Sequence, residues 1–371
     1  MNADKPTLSR PLATVNLDAL VANYRRIVGE VDQAEVAAMV KANGYGLGAA
    51  ETAGALYGAG CRVFFVAGVD EGVRLRASLD QDNAEINILE GPLPGSAPVL
   101  KANRLNPVLN SLGQLEQWRQ LANTADEPLV ASLHIDTGMS RLGFPADEYQ
   151  RLLAEPSLLD GAVVSRVMSH LVSADIHGDP LSRRQLGQFA DVRTSLPMGS
   201  ASLANSAGIF LGKEYHWDLV RPGISLYGGS PFPDSGKPNP MQTVLTVEAP
   251  IIQVRNADPG ETVGYGASHR VERPARIATL PVGYADGFLR SASNTGLVAV
   301  GDRQVPIVGR VSMDLITIDV TDVDASLLYP GAPVQLIGDQ RPIDLVAESA
   351  GSIPHELLTN LSGRFETVYC S

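Results

Sequence analysis

The sequence predicts an α/β protein in two parts: an N-terminal (β/α)8 TIM-like barrel over residues 1–240 and a C-terminal, mostly-β domain over residues 241–371. Three observations carry that expectation. Eight short apolar runs alternate with helical stretches at a spacing of about 20 to 30 residues, the rhythm of a parallel barrel. The texture changes after Gly229, where Ser230–Pro240 holds four prolines and reads as a linker. Beyond Met241 the chain turns to short runs rich in Val, Ile and Thr, separated by turn signals, which is the pattern of β structure. A doubly wound sheet is the competing architecture, but no G-x-G-x-x-G follows the first strand.

Taken in order, Ala13–Leu17 reads as a short strand, with Asp18 able to cap a helix running to about Gly29. The barrel strands are expected at Glu35–Val40, Arg62–Val66, Ile86–Leu89, Pro107–Leu109, Leu129–Asp136, Gly161–Ser169, Ser200–Leu203 and Trp217–Val220. Helical stretches fall between them, among them Leu112–Asn123, Ala146–Ala154 and Leu181–Ser195. The later strands are expected at Thr243–Ala249, Ile251–Arg255, Arg276–Pro281, Leu297–Val300, Gln304–Val308, Leu315–Val320 and Pro333–Ile337. Asp258-Pro-Gly, Pro330-Gly and Gly338-Asp punctuate them.

Composition narrows the class. A length of 371 residues suits about two domains. Apolar content of 44% against 19% charged residues indicates a packed core rather than disorder. A net charge of −12 argues against a nucleic-acid partner. Cys61 and Cys370 stand far apart, without metal-ligand spacing. The opening MNADKPTLSRP lacks the apolar stretch of a signal peptide, and no run has the length of a membrane span, so a cytoplasmic protein is expected.

In a barrel of this kind, polar residues that follow the strands share one rim. The first strand, within VAAMVKANGYGLG (Val36–Gly48), ends at Lys41 and is followed closely by Tyr45. A lone lysine reads first as a solvated loop residue. At the end of a buried strand its amine loses charge more readily and becomes a nucleophile. The fifth strand ends in Asp136-Thr-Gly-Met-Ser-Arg141 and the sixth in Ser169-His170. The seventh runs into Asn205-Ser206, and the eighth into Arg221-Pro-Gly223-Ile224. Singly, His170 reads as a satisfied core histidine and Ser206 as a helix cap. Together, the Ser206 hydroxyl and the N–H groups around Gly223 suit a phosphate, at a place where barrels often bind one. A lysine beside a phosphate site points to pyridoxal phosphate held as a Schiff base. Arg221 is the candidate partner of its ring nitrogen. An arginine keeps its proton, so it faces an unprotonated nitrogen and leaves the ring a weak electron sink. That favours simple reprotonation at Cα over transamination, chemistry suited to a racemase.

The segments MVKANGYGLG, HIDTGMSRLGF, SLANSA, LVRPGISLYG, VGYGASH and VGRVSMDLITIDV, in that order, resemble the motifs of the bacterial alanine racemase family. The resemblance implies a pyridoxal-phosphate barrel followed by a β domain. It also implies a homodimer in which each site borrows residues from the other subunit. Lys41 matches the family's Schiff-base lysine, which also acts as one base, and Tyr265 matches the second base, supplied from the other subunit. A tyrosine near its ordinary pKa of about 10 is a poor base at neutral pH. His170 with Arg221 matches the charge relay that assists it. Arg141 matches the arginine near the cofactor's phenolic oxygen and the substrate carboxylate, and Met313 matches the position whose backbone meets that carboxylate. Tyr45, Ser206, Gly223 and Ile224 match the phosphate cradle, with Asn205 beside it. Tyr284, Arg290, Arg310, Asp314 and Asp175 match the entry corridor.

Three departures stand out. Where the family often carries a carbamylated lysine, this chain has His134, so another anion or a direct histidine contact is expected to steady Arg141. A usual histidine is Ser202. The tyrosine of a usual IPYE is His355, which is still able to donate to phosphate but changes the substrate gate, so serine is expected to compete with alanine. Two other readings remain open at this level. One is a barrel decarboxylase or broad-specificity racemase; the other is a non-enzymatic carrier of pyridoxal phosphate. The VGYGASH segment favours racemisation, and a carrier needs no second base.

Overall fold

In the computed structural model, residues 7–79, 81–125, 128–176, 178–233, 236–361 and 363–371 are described. Asp234 and Ser235 of the expected linker lie outside them. The chain forms two compact units. One comprises Val21–Leu226 with Ser230–Met241; the other joins the N-terminal segment to Leu20, Tyr227–Gly229 and Gln242–Ser371.

The first unit is the barrel. After β1 (Leu12–Asn16), which belongs to the other unit, its strands are β2 (Glu35–Val36), β3 (Ala38–Met39), β4 (Val63–Val66), β5 (Glu85–Ile88), β6 (Asn106–Leu109), β7 (Leu129–His134), β8 (Ala162–Met168), β9 (Ser200–Ser202) and β10 (Leu219–Val220). All are parallel to their neighbours. The expected first strand is split in two. β2 pairs with β10, whereas β3 pairs with β4. One segment thus serves both flanking strands, and the order β2-β10-β9-β8-β7-β6-β5-β4-β3 runs round to its own start. Neighbours in sequence are neighbours in the sheet, so the strand order has no reversal of the doubly wound kind. Val63-Phe-Phe-Val66 is buried on both faces, as expected of a barrel strand covered on the outside by helices.

Local chemistry sets the helix ends. Ser111 accepts from Gln114 N–H and starts the helix Leu112–Ala122. Asp179 accepts from Leu181 N–H, with Pro180 at the first helical position, and starts Pro180–Ser195. The first helix, Leu17–Glu30, is capped by Asn16 rather than Asp18: the Asn16 side chain accepts from Ala19 N–H at 2.9 Å. Asp18 instead adds negative charge to the first turn.

The second unit holds β11 (Leu245–Pro250), β12 (Gln253–Ala257), β13 (Thr262–Val263), β14 (His269–Arg270), β15 (Ala275–Leu280), β16 (Leu297–Val300), β17 (Arg303–Pro306), β18 (Ile316–Asp319), β19 (Pro333–Ile337) and β20 (Glu366–Cys370). Its largest sheet has the order β17-β16-β19-β11-β1-β20. β1, expected ahead of the barrel, lies here, antiparallel to β11 and parallel to β20. A three-stranded sheet β12-β15-β18 packs Ala257, Val271, Ala275, Ile277 and Val308 into a small core. The strands expected after Met241 are present within a few residues. The hairpin β13–β14, strand β20 and the helices Ile343–Ser349 and Pro354–Asn360 were not expected. No described helix is long and apolar enough to cross a membrane.

Candidate active site

Lys41 sits just beyond β3 and opens a turn of unusual hand. Ala42, Asn43, Gly44 and Tyr45 all have φ between 52° and 64°. For Ala42 and Tyr45 that conformation costs about 1–2 kcal/mol each, since Cβ crowds the following carbonyl. Strain of this kind persists where the surroundings over-determine it. Here Glu71 is the anchor: its carboxylate accepts from Ala42 N–H and from Ala67 N–H, each at 2.8 Å. Asn43 Oδ1 accepts from Ala49 N–H at 3.1 Å. Burial lowers the Lys41 pKa, Arg141 lowers it further, and Glu71 partly opposes both. The amine is therefore more readily neutral than a surface lysine.

The turn carries Tyr45 inward, where it is buried. A Cβ placed on Gly223 would stand 2.2 Å from the Tyr45 hydroxyl oxygen. Only a glycine leaves room for that approach. The Gly223 N–H donates to Ser206 Oγ at 2.9 Å, and the Ser225 N–H donates to it at 3.3 Å. Tyr45, Ser206 and Gly223 thus meet in one place, with Ile224 buried beside them. Asn205, not Ser206, caps the short turn that follows, accepting from Gly208 N–H at 2.9 Å. The Ser206 side chain is thereby left to the loop after β10.

Arg221 is 3% exposed. Its Nη2 donates to the Ser169 carbonyl at 2.6 Å and to the Leu203 carbonyl at 3.4 Å, and its Nη1 donates to Ser202 Oγ. Ser202 passes its own hydrogen to the Leu219 carbonyl at 2.7 Å. The residue standing where the family has histidine is thus an uncharged acceptor for Arg221. His170 Nδ1 lies 3.4 Å from Arg221 Nη2. A guanidinium only donates, so Nδ1 accepts and the proton of neutral His170 sits on Nε2. Burial, then Arg221, His134, Arg141 and Lys41, hold the His170 pKa well below its ordinary value. Burial and then Arg166 lower that of Arg221 to about 9.

The expected contact from His134 to Arg141 is not made: among the described residues no hydrogen bond joins them, and His134 pairs with Asn110 instead. Asn110 Nδ2 donates to the Leu89 carbonyl at 3.0 Å and the Val108 carbonyl at 2.9 Å, so its Oδ1 faces His134 Nδ1 at 2.9 Å and accepts the proton there. Burial first, then Arg221, lowers the His134 pKa to about 4. The imidazole is a neutral fixture. Arg141 projects from the loop after β7, exposed. Asp136 ties that loop: its Oδ1 accepts from Gly138 and Met139 N–H at 2.9 and 2.8 Å, and its Oδ2 from Ser140 N–H at 3.0 Å. Asp175 is exposed on the loop after β8.

The remaining expected residues lie in the second unit. Tyr265 is 73% exposed, on a short turn after β13. Arg310 packs against that turn; a Cβ on Gly266 would meet its Nη1 at 3.0 Å. Tyr284 N–H donates to the Ser312 carbonyl and Ala285 N–H to that of Met313, each at 3.0 Å, so Tyr284 and Met313 share one local structure. Met313 is 54% exposed. Arg364 spans Asp286 at 3.1 Å and Asp314 at 2.8 Å. His355 and Arg290 are exposed.

Glu71, Asn110 and Arg364 were missed by sequence reasoning. Each holds a group 24 to 50 positions away, with no local signature. Gln185 was missed as well, although a signal existed: it is a polar residue on the buried face Ser182–Gln185–Phe189–Val192 of its helix.

With the rim at the carboxyl ends of its strands, the chain takes its place among two-domain barrel enzymes acting on small molecules. Its family is more definite. Residues 15–231 match the family model "Alanine racemase, N-terminal domain" and residues 244–369 match "Alanine racemase, C-terminal domain", so the chain belongs to the alanine racemase family, as its motifs implied. It is 46% identical over 357 residues to an alanine racemase of Methylobacterium nodulans, covering 96% of this chain and 95% of that one. Against that of Brucella abortus it is 45% identical over 369 residues, covering 96% and 93%. The crystal structure of alanine racemase from Bartonella henselae, with covalently bound pyridoxal phosphate, superposes with a TM-score of 0.93 at 40% identity, over 98% of this chain and all 100% of that one. The biosynthetic alanine racemase of Pseudomonas aeruginosa gives 0.91 at 34% identity, covering 98% and 100%.

Proposed function

We propose that this protein interconverts L- and D-alanine with pyridoxal phosphate as cofactor, in the cytoplasm, as a homodimer whose sites are shared between subunits. The observation that carries the reading is the meeting of Tyr45, Ser206 and Gly223 beside a buried Arg221, on the same rim as Lys41. These residues fit the cofactor. A glycine at 223 leaves space where any side chain would strike Tyr45, and the surrounding hydroxyl and amide groups match a phosphate. Lys41 would hold it covalently, Tyr45, Ser206, Gly223 and Ile224 its phosphate, Arg221 its ring nitrogen, and His355 would add a phosphate donor. When bound, the group acidifies the α-proton of an attached amino acid.

The chain's own residues then divide the work. Lys41 Nζ, lowered in pKa, takes or delivers the α-proton on one face. Tyr265 Oη of the other subunit does so on the opposite face. Its exposure, alongside Met313 and Tyr284, suits a group that reaches a partner chain. Arg141 pairs with the substrate carboxylate, and the Met313 backbone meets it. Arg221 keeps its proton, and burial together with Arg221 holds His170 neutral, which leaves the imidazole N–H as a donor toward the tyrosine side. Asp175, Tyr284, Arg290, Arg310 and Asp314 line the approach, where His355 widens the gate enough for serine to compete.

Subunit mixing tests the shared site. Lys41→Ala and Tyr265→Phe homodimers should each be inactive on alanine. Random re-association should restore about a quarter of wild-type activity, because half the dimers are mixed and each has one intact site. No recovery would show both bases in one chain, and full activity of either variant alone would remove that residue from the chemistry. In the same assay wild type should turn over L-serine measurably; negligible turnover beside alanine would refute the gate.

A further inference from the structure

We infer that Gln185 is a positioning residue that latches the loop bearing Arg141 to the loop bearing His170. The inference rests on the roles proposed above for those two loops. Gln185 lies midway along the helix Pro180–Ser195 and is 0% exposed. An amide in a dry interior costs free energy unless its polar atoms are partnered. Every partner it has belongs to the rim. Its Nε2 donates to the His170 carbonyl at 2.9 Å and to Thr137 Oγ1 at 3.2 Å, and its Oε1 accepts from Val172 N–H at 2.9 Å. Thr137 Oγ1 in turn lies 2.7 Å from Ser169 Oγ. Thr137 and Ser169 are both buried, so water does not compete for these bonds.

The two loops are anchored unequally. The loop after β8 has a second restraint, the Arg221 bond to the Ser169 carbonyl at 2.6 Å. The loop Asp136–Arg141 is knit internally by Asp136, but that carboxylate ties it to itself. Its base is held by the backbone bonds of His134 and Asp136 with Phe144 and of Ile135 with Met168, and beyond that base Thr137 ties it to the neighbouring loop, through Gln185 and Ser169. Loss of the latch therefore acts mainly on Arg141, four residues further along. An arginine that samples more positions binds a carboxylate more weakly without altering the bases that move the proton. The signature is a rise in KM with little change in kcat.

The test uses holoenzyme carrying Gln185→Met, which keeps length without the amide, and Thr137→Val, which keeps shape without the hydroxyl. Arg141→Lys runs beside them. Each latch variant should raise KM for L-alanine about five- to tenfold with kcat within about twofold. The visible absorbance of the bound cofactor should not move, and amides of residues 138–142 should exchange hydrogen faster. The double variant should be no worse than the poorer single one, since both break one chain of bonds. An unchanged KM in both folded variants, or a fall in kcat at constant KM, overturns the latch. If Gln185→Met does not fold, Thr137→Val alone decides between the same outcomes. An Arg141→Lys variant with wild-type KM would instead overturn the carboxylate role, leaving the exchange rates to report on the latch itself.

Discussion

Gly223→Ala isolates the cradle. The backbone at 223 is not in the left-handed region, so alanine meets no conformational penalty there. What it meets is Tyr45: the added Cβ would stand 2.2 Å from Oη and 3.0 Å from Cζ, against 3.6 Å from Met39 Cβ. Tyr45 has little freedom to retreat, since its φ of 54° belongs to a left-handed turn held by Glu71 and its ring is buried. Overpacking of this kind costs about 1–3 kcal/mol. If the displacement is confined to the cradle, cofactor affinity falls by about 5- to 150-fold, at about 1.4 kcal/mol per tenfold. The assay is titration of apoprotein with pyridoxal phosphate, followed by visible absorbance. Tyr45→Phe removes the atom that clashes most and also one phosphate donor. The double variant should therefore bind no more weakly than Tyr45→Phe by more than about threefold, a coupling that only direct contact produces. Wild-type affinity in Gly223→Ala, or simple additivity with Tyr45→Phe, would refute the cradle.

Ser202→Ala removes the hydroxyl acceptor of Arg221 Nη1 in a buried site, and should cost about 1.5–3 kcal/mol as a charged hydrogen bond. A lower thermal midpoint and weaker cofactor binding are expected; no change in either would show Ser202 to be a bystander. His134 gives a pH signature. Its folded pKa near 4 lies below the ordinary 6.5, so the unfolded chain binds the extra proton between those values. Its contribution is whole above about pH 6.5 and is lost as pH falls toward 4, by about 2 kcal/mol between pH 7 and 5. His134→Gln should flatten the fall of thermal midpoint over that window, and a curve parallel to wild type would refute it.

The rim was legible because its residues stand directly after the strands that place them. Lys41, Arg141, His170, Ser206 and Arg221 are each within seven positions of a strand end. What holds them was not legible. Glu71 reaches back to Ala42, and Gln185 reaches Thr137 48 positions away, and nothing local announces either bond. Strand β1 looked like a lead-in to the barrel. Its partners β11 and β20 start more than 200 residues later, a pairing that alternation in a five-residue run does not encode. The split of the first barrel strand was hidden for a different reason. Val36-Ala-Ala-Met-Val40 is evenly apolar, and only the barrel's closure decides which half pairs with which neighbour.

The departures at 134 and 202 bear on one property, the charge of the rim. A chain with net charge −12 has to attract an anionic ligand locally. Arg141 and Arg221 supply positive charge, and Asp136 is turned toward its own loop amides. Glu71 spends its oxygens on Ala42 and Ala67. The residues at both positions are neutral here: His134 gives its Nδ1 proton to an amide, and Ser202 accepts from Arg221 as a hydroxyl. Both histidines are held uncharged by burial and by the arginines themselves. The positive charge of the two arginines is thus left uncancelled by these neighbours, and it suits a ligand carrying a phosphate and a carboxylate. The neutral residues keep Arg221 in place without cancelling its charge, which is what an anion site inside an acidic protein requires.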